Sequence, residues 1–455
     1  MAFQAQNPAT GEVIETCPVP TAEEIEAALS RAHRAAPAWR ARSVAERAAP
    51  MKRMAELLRS SAAEHARTMA REMGKPVAQG EAEVEKCALV CTHYAEHAAA
   101  MLAPEPRDVG GDEALVRFDP LGLVLAVMPW NFPFWQVYRF AAPALMAGNV
   151  ALLKHAESVP GCARALEALF RVAGFPEGTF QAPLLVREQV PGILADARVA
   201  AATLTGSERA GKSVGEHAGR ALKKVVLELG GSDPFVILAD ADVARAAKVA
   251  AESRLINGGQ SCIAAKRFIA VDAVHDRFLE AFVEAMRAVQ PGDPLQRETK
   301  LGPMARLDLR HELHRQVRQS VDGGAALRLG GVVPDGPGAF YPPTVLAEVR
   351  PGMPAYDEET FGPVAAVIRA RDEDDALRIA NDTGFGLGAA VWTADVARGK
   401  RLAERVDAGC VFVNGMVKSD PRVPFGGVKR SGHGRELDAV GMREFVNLKT
   451  VWVAK

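Results

Sequence analysis

One cysteine of the chain is flanked by small residues, in the stretch NGGQSCIAA (residues 257–265). A structural thiol usually packs against apolar neighbours and behaves as a small hydrophobic group. A nucleophilic thiolate, by contrast, needs space for an incoming carbon atom and for a second reactant. Gly258 and Gly259 leave the backbone before Cys262 without side chains. We therefore predict that Cys262 is a nucleophile, with a packed structural thiol as the alternative.

Two other stretches place a polar side chain at the end of an apolar run. Glu228 lies in VLELGG (residues 226–231). A carboxylate in such surroundings is costly unless it is paired, protonated or functional, and burial would raise its pKa and make it a usable base. Asn131 lies between two prolines in MPWNFP (residues 128–133). Its amide N–H could stabilise a developing oxyanion, or the side chain could cap a rigid turn.

Cysteine and histidine spacing gives no metal site. The six cysteines are scattered without a Cys-x-x-Cys pair, which is typical of reduced thiols in an intracellular enzyme. His93 and His97 have ligand spacing, but the glutamate of the zinc-protease pattern is displaced. His311 and His314 lie in a charge-rich helical segment. Both pairs are interpreted as solvated helix faces, and no metal is predicted.

The overall composition excludes several classes of protein. With 55 basic and 56 acidic residues, the formal net charge is -1, so no long-range field attracts nucleic acid or an anionic membrane. The first residues lack a signal-peptide pattern, and no apolar run approaches the length of a membrane span. We expect a cytoplasmic protein with a small-molecule substrate. A length of 455 residues predicts two or three domains.

The pattern of apolar residues predicts two α/β domains that meet near Gly230. The first hundred residues carry apolar positions at helical spacing. From about residue 122, short buried strands alternate with helices, which is typical of a parallel sheet covered on both faces. A second alternating series follows Gly231. The predicted strands are 122–128, 149–153, 199–204, 224–229, 234–238, 266–271, 363–369, 388–393 and 411–414.

Taken together, the motifs resemble those of the NAD(P)-dependent aldehyde dehydrogenase superfamily, and the resemblance runs from Asn7 to the C-terminus. The motifs that carry it are PWNFP (129–133), ELGG (228–231), GQSC (259–262) and ETFGP (359–363). It implies two Rossmann-like domains with a small β arm: residues 1–106 and 122–229 bind the cofactor, 230–430 form the catalytic domain, and 107–121 and 440–455 join subunits. A homodimer or homotetramer is expected.

The resemblance also implies a role for each matching catalytic residue. The Cys262 thiolate would attack the aldehyde carbon, and the Asn131 amide with the Cys262 backbone N–H would hold the oxyanion. Hydride transfer would leave a thioester, which Glu228 would help water to hydrolyse. Some members carry a second cysteine two residues after the nucleophile. Ala264 stands there, so no redox-closing disulfide is predicted.

For the cofactor, the resemblance places Lys154 and Glu157 at the adenine ribose. A carboxylate accepts hydrogen bonds from the ribose hydroxyls and repels a 2′-phosphate, so Glu157 predicts a preference for NAD, with NADP as the other candidate. His155 between them departs from the usual proline. The remaining predicted cofactor-binding residues are Trp130, Gly206, Ser207, Gly211, Glu359 and Phe361.

For the substrate, Arg139 lies eight residues after Asn131 and resembles an arginine of the succinate-semialdehyde dehydrogenase branch. It would bind a carboxylate at the far end of a short aldehyde, with a structural ion pair as the alternative. Trp135, Ser419 and Phe425 are assigned to the same substrate site by resemblance. The competing hypotheses are a broad-specificity aldehyde dehydrogenase, an enzyme that acylates coenzyme A, a cofactor-independent cysteine hydrolase and a non-catalytic homologue.

Overall fold

The computed structural model describes residues 2–455. The N-terminal part opens with a two-stranded hairpin and three helices and continues into a parallel sheet. Its elements are β1 (Ala2–Gln6), β2 (Val13–Pro18), α1 (Ala22–Ala41), α2 (Val44–Met73), α3 (Val77–Met101), β3 (Glu105–Asp108), β4 (Glu113–Pro120), β5 (Leu123–Val127), α4 (Trp135–Met146), β6 (Val150–Lys154), α5 (Pro160–Val172), β7 (Phe180–Gln181), α6 (Val190–Ala195), β8 (Val199–Thr205), α7 (Glu208–Arg220) and β9 (Lys224–Glu228).

The remaining elements form a second sheet with its helices and then return to the first. They are β10 (Pro234–Ile237), α8 (Val243–Leu255), β11 (Arg267–Val271), α9 (Asp272–Arg287), α10 (Leu307–Asp322), β12 (Ala326–Leu329), β13 (Thr344–Ala347), α11 (Pro354–Asp357), β14 (Val364–Ala370), α12 (Glu373–Asn381), β15 (Gly388–Trp392), α13 (Val396–Ala403), β16 (Cys410–Val413), β17 (Gly432–His433), α14 (Asp438–Met442) and β18 (Val446–Val453).

Two large sheets organise these elements. The first has the order β17-β9-β8-β5-β6-β7 and the second the order β12-β13-β14-β11-β10-β15-β16. All pairs are parallel except β17 with β9 and β12 with β13. Each sheet has its own buried hydrophobic cluster. The predicted fold class, two doubly covered α/β units, is confirmed.

A third, antiparallel sheet has the order β18-β4-β3, and Phe118 of β4 and Val446 of β18 pack into the core of the first large sheet. It contains the two segments predicted to join subunits. In β18, Leu448, Trp452 and Val453 are all more than half exposed. Strands β1, β2, β7, β12, β13 and β17 were not predicted from the sequence, and the hairpin β1–β2 lies in a region predicted to be helical. Strand β17 shows that the chain crosses back to the first sheet after residue 430.

The long helices are stabilised at their ends by local hydrogen bonds. Thr21 with Glu24 forms a capping box at the start of α1, and Ser43 with Glu46 does so for α2. Gly74 ends α2 in the left-handed conformation, which costs glycine little. None of helices α1 to α14 combines the length and apolar character that crossing a membrane requires.

Candidate active site

The predicted site residues of the first sheet follow the carboxyl ends of its parallel strands. Lys154 ends β6 and Glu228 ends β9, while Asn131 follows β5 and Ser207 follows β8. Parallel strands bring their carboxyl ends to one edge, where open α/β sheets bind ligands. The register of β5 with β6 and β8, and of β8 with β9, therefore positions these side chains at that edge.

The cysteine loop lies against this edge from the second sheet. Asn257, Gly258 and Gly259 adopt left-handed conformations in succession, with φ of 52°, 65° and 74°. A side chain on Gly259 would lie 2.2 Å from the carbonyl oxygen of Gly362. The interpretation that this glycine leaves room for reactants at the sulfur is therefore wrong: Gly259 is required for close packing of two backbones.

Asn131 contacts this loop directly. Its side-chain Nδ2 donates to the Gln260 carbonyl over 3.0 Å, and its own carbonyl accepts from Asn257 Nδ2 over 2.7 Å. Gln136 Nε2 donates to Asn131 Oδ1 over 3.1 Å, which fixes the orientation of the amide. Asn131 is thus hydrogen-bonded to Gln260, two residues before Cys262, and to Gln136 on α4. One of the two N–H groups of its amide is left for another acceptor.

The surroundings of Cys262 favour the protonated thiol. The residue is partly buried, and burial raises its pKa to about 12, while Arg139 and Lys266 act in the opposite direction. The Lys266 ammonium donates to the carbonyls of Ser261 and Cys262 over 2.9 and 2.7 Å and so lies beneath the loop. Among residues 2–455, no histidine ring is hydrogen-bonded to the Cys262 thiol, as a cysteine hydrolase would require.

Glu228 is buried and forms no salt bridge with any of residues 2–455. Neither carboxylate oxygen has a hydrogen-bond partner among the described residues. Burial raises its pKa well above the usual range; Arg139 opposes this and Glu436 adds to it. The backbone of Gly426 approaches closely, since a side chain there would lie 2.7 Å from Glu228 Oε1. The alternative in which Glu228 is a salt-bridge partner is therefore not observed among residues 2–455.

Arg139, predicted to bind a substrate carboxylate, is already engaged. Its guanidinium is ion-paired with the buried carboxylate of Glu436, donates to Thr205 Oγ1 over 3.2 Å and lies 4.7 Å from the ring centre of Phe425. Glu436 balances its charge, so the structural ion pair considered as the alternative is the arrangement present. Phe425, also predicted to contact substrate, packs under this pair.

Trp135 and Ser419 lie together around a residue that the sequence did not single out. Lys86 on α3 donates to Ser419 Oγ over 2.8 Å, and its ammonium lies 4.2 Å from the ring centre of Trp135. A lysine on a long helix with charged neighbours is usually solvent-exposed, so no local signal distinguished Lys86. The hydrogen bond between Lys86 and Ser419 joins residues 333 positions apart in the sequence.

The predicted adenine-ribose residues form one small cluster. Lys154 Nζ lies 3.3 Å from Glu157 Oε1, which also accepts from the backbone N–H of Arg187 over 3.4 Å. Between them, the buried His155 accepts from the Ala156 N–H at Nδ1 and contacts the Pro133 carbonyl at Nε2, over 2.9 and 3.0 Å. The unusual histidine is thus accommodated by hydrogen bonds to the loop that carries Asn131.

The other predicted cofactor residues fall into two groups. Ser207 caps α7 by accepting from the Ala210 N–H over 3.3 Å, so Gly206 and Ser207 lie where helix N–H groups can meet a phosphate. Gly211, in contrast, is needed for packing, because a side chain there would lie 2.6 Å from Leu229. The contact predicted between Gly211 and the cofactor stays a prediction.

The second group bridges the two sheets. Trp130 and Phe361 meet edge to face with ring centres 6.0 Å apart. Glu359 accepts from the Gly231 N–H over 3.0 Å and lies 3.3 Å from Lys266. Carboxylates, an aromatic pair and the N-terminus of α7 along one edge fit a dinucleotide that spans both sheets. Within residues 2–455, no cluster of three or more His, Cys, Asp or Glu side chains could hold a metal ion.

Comparisons with known proteins agree with this architecture. The model of the aldehyde dehydrogenase family matches residues 1–451. The chain is 52% identical to succinate-semialdehyde dehydrogenase [NADP(+)] 1 of Mycobacterium tuberculosis and 48% identical to a probable succinate-semialdehyde dehydrogenase [NADP(+)] of Synechocystis, each over 100% of both chains.

A solved structure is similar to this chain in fold as well as in sequence. The succinic semialdehyde dehydrogenase of Streptococcus pyogenes, in complex with NADP+, has a TM-score of 0.98 at 37% identity and covers 100% of both chains. The family resemblance inferred from the motifs is confirmed, and the chain belongs to the aldehyde dehydrogenase family.

Proposed function

We propose that this protein oxidises succinic semialdehyde to succinate, with a nicotinamide dinucleotide as the hydride acceptor. The observation that carries the chemistry is the contact between the Asn131 amide and the Gln260 carbonyl, which holds an oxyanion donor beside the Cys262 loop. The choice of substrate is supported by the relatives, which are named as succinate-semialdehyde dehydrogenases.

In the first half of the reaction, Cys262 Sγ gives its proton to solvent water and forms a bond to the aldehyde carbon. The carbonyl π electrons move to oxygen, and the Asn131 amide together with the Cys262 backbone N–H stabilises the oxyanion. The positive charges of Arg139 and Lys266 favour the thiolate. The bound coenzyme supplies the hydride acceptor, and loss of hydride from the substrate carbon leaves a thioester on Sγ.

In the second half, Glu228 accepts a proton from water while the water oxygen attacks the thioester carbon. The C–S bond then breaks, the carboxylic acid leaves, and the proton held by Glu228 passes to the departing Sγ. A buried carboxylate with a raised pKa suits this exchange because it is a stronger base toward water than an ordinary exposed carboxylate. An enzyme that passes the acyl group to coenzyme A has less need of such a base.

The test is steady-state turnover with succinic semialdehyde, butanal and benzaldehyde, followed by the absorbance of the reduced coenzyme. We expect kcat/KM for succinic semialdehyde to exceed that for butanal by at least about tenfold, a difference of roughly 1.4 kcal/mol. Equal values would support the broad-specificity alternative. Ester hydrolysis that is faster without coenzyme would support the hydrolase, and an acyl-CoA product would support acyl transfer.

For the coenzyme we propose NADP+, because the relatives are named for it. They give no support to the NAD preference predicted from Glu157. The Glu157 carboxylate faces Lys154 and the Arg187 N–H, and Lys154 is a cation within reach of a 2′-phosphate if Glu157 turns away. The ratio of kcat/KM for NADP+ to that for NAD+ should rise in Glu157→Gln and fall in Lys154→Met. A wild-type ratio below one would restore the original prediction.

We also infer assembly of identical subunits through the sheet that contains β18. Its free edge and the exposed Leu448, Trp452 and Val453 are features that a partner strand would cover. Leu448→Arg should lower the mass measured by light scattering. Val172→Arg, at an equally exposed apolar residue on α5, is the matched control. An unchanged mass for Leu448→Arg would contradict this interface.

A further inference from the structure

Lys86 is a partly buried cation for which residues 2–455 provide no counter-ion. Its ammonium contacts the hydroxyl of Ser419 and the ring of Trp135, neither of which carries charge. Among residues 2–455 it forms no ion pair. Removing an ammonium from water without a compensating anion costs free energy, and Arg139 nearby adds repulsion.

The neighbouring carboxylates are committed to other cations. Glu83, one turn earlier on α3, pairs with the buried Lys75. Asp420, next to Ser419, pairs with Arg422 over 2.7 Å. The cluster around Lys86 therefore lacks one negative charge, and nothing in the described chain supplies it. Consistent with this, burial lowers the pKa of Lys86 to about 8.

The position of Lys86 relative to the reaction centre is fixed by α3. The Glu83 carboxylate accepts from the backbone N–H groups of Phe134 and Trp135, both over 2.9 Å. This contact ties α3 to the start of α4, four residues after Asn131. Lys86 follows Glu83 by one helical turn and so lies over the Trp135 ring.

Ser419 connects the same cluster to the other end of the site. The chain runs from Ser419 to Phe425, which packs against Arg139, and to Gly426, which approaches Glu228. Lys86 and Ser419 are thus connected, through the start of α4 and through residues 419–426, to the segments that contact Asn131 and Glu228.

We propose that Lys86, together with Ser419, binds the carboxylate of the substrate and sets the preference for acidic aldehydes. This inference rests on the proposed function. Arg139 stays with Glu436 and acts as a positioning residue. A carboxylate on Lys86 would supply the missing charge, and Ser419, which accepts from Lys86, would donate its own proton to the second oxygen.

The test compares Lys86→Met and wild type with succinic semialdehyde and with butanal, an uncharged aldehyde of the same chain length. We expect KM for succinic semialdehyde to rise at least about tenfold in Lys86→Met while kcat changes little, the signature of lost ground-state binding. The values for butanal should stay within about twofold. Lys86→Arg should restore much of the affinity, and Lys52→Met on the exposed face of α2 is the control.

Equal losses on both aldehydes, or an unchanged KM for succinic semialdehyde, would overturn the assignment of Lys86. Activity on butanal reports that the variant is folded. Should Lys86→Met not fold, Ser419→Ala provides the second measurement, and it must also affect succinic semialdehyde selectively. If wild type itself shows no preference for succinic semialdehyde, the proposed function fails. If wild type shows the preference and Lys86→Met keeps it, only this inference fails.

Discussion

Replacement of Asn131 by alanine removes the side-chain donor beside the cysteine loop. One N–H of its amide is used by the Gln260 carbonyl over 3.0 Å, which leaves the other for the oxyanion. Loss of one such donor lowers kcat by roughly 10²–10³, or about 2.7–4 kcal/mol, in comparable sites. Because the donor acts on charge that develops only in the transition state, KM for the aldehyde should change little.

The contribution of Gln136 follows from the same contacts. Its Nε2 holds Asn131 Oδ1 over 3.1 Å and so keeps the amide N–H groups on the side of the cysteine loop. A neutral hydrogen bond contributes about 0.5–1.5 kcal/mol, so Gln136→Leu should lower kcat by roughly two- to twelvefold. Gln189→Leu, which removes a bond to the Pro20 carbonyl away from the site, is the control.

A double mutant gives the sharpest check. If Gln136 acts only by orienting Asn131, then Asn131→Ala with Gln136→Leu should be no slower than Asn131→Ala alone. Single-turnover measurements of coenzyme reduction separate this step from product release. An additive loss in the double mutant, or an Asn131→Ala enzyme within about threefold of wild-type kcat, would refute the proposed arrangement of donors.

Two further predictions concern buried charges. Glu83→Gln leaves the buried Lys75 ammonium unpaired and should lower the free energy of unfolding in urea by about 3–5 kcal/mol. The control Glu85→Gln breaks an exposed pair with Arg59 and should lower the free energy of unfolding by less than about 1 kcal/mol. Equal losses in the two variants would contradict this prediction. Burial raises the pKa of Asp233 from 3.8 to about 7. Between about pH 4 and pH 7 the folded state therefore holds a proton that the unfolded state has released. The contribution of Asp233 to the free energy of unfolding falls as pH rises through this range. Relative to wild type, Asp233→Asn should therefore gain up to about 3 kcal/mol between pH 5 and pH 8, and a pH-independent difference would show that Asp233 titrates normally.

The parallel strands and their order along the chain could be predicted because each is a short continuous apolar run followed by a polar or glycine-rich turn. Strands β12 and β17 were not predicted, for two different reasons. Strand β12 is half exposed at a sheet edge, and β17 has two residues. Their pairing depends on the neighbouring strand, which no local pattern encodes.

Among the site residues, Cys262, Glu228 and Asn131 stood out because each breaks a local expectation: small neighbours, a buried acid, an amide between prolines. Lys86 breaks none, since a lysine three residues after a glutamate is ordinary on a helix. Arg139 was predicted to bind substrate, but it is ion-paired with Glu436, which lies nearly 300 residues later in the chain. Pairings of this kind follow from tertiary structure and could not be predicted from spacing.

The contacts that build the site also hold the two large sheets together. Asn131 of the first sheet is bonded to Gln260 of the second, Gly231 to Glu359, and Trp130 packs on Phe361. A dinucleotide bound along this edge would therefore touch residues of both sheets. The same few residues set the catalytic geometry and join the two sheets. A substitution at any of them must therefore be judged by both activity and stability. Loss of turnover with unchanged unfolding is the result that isolates a chemical role.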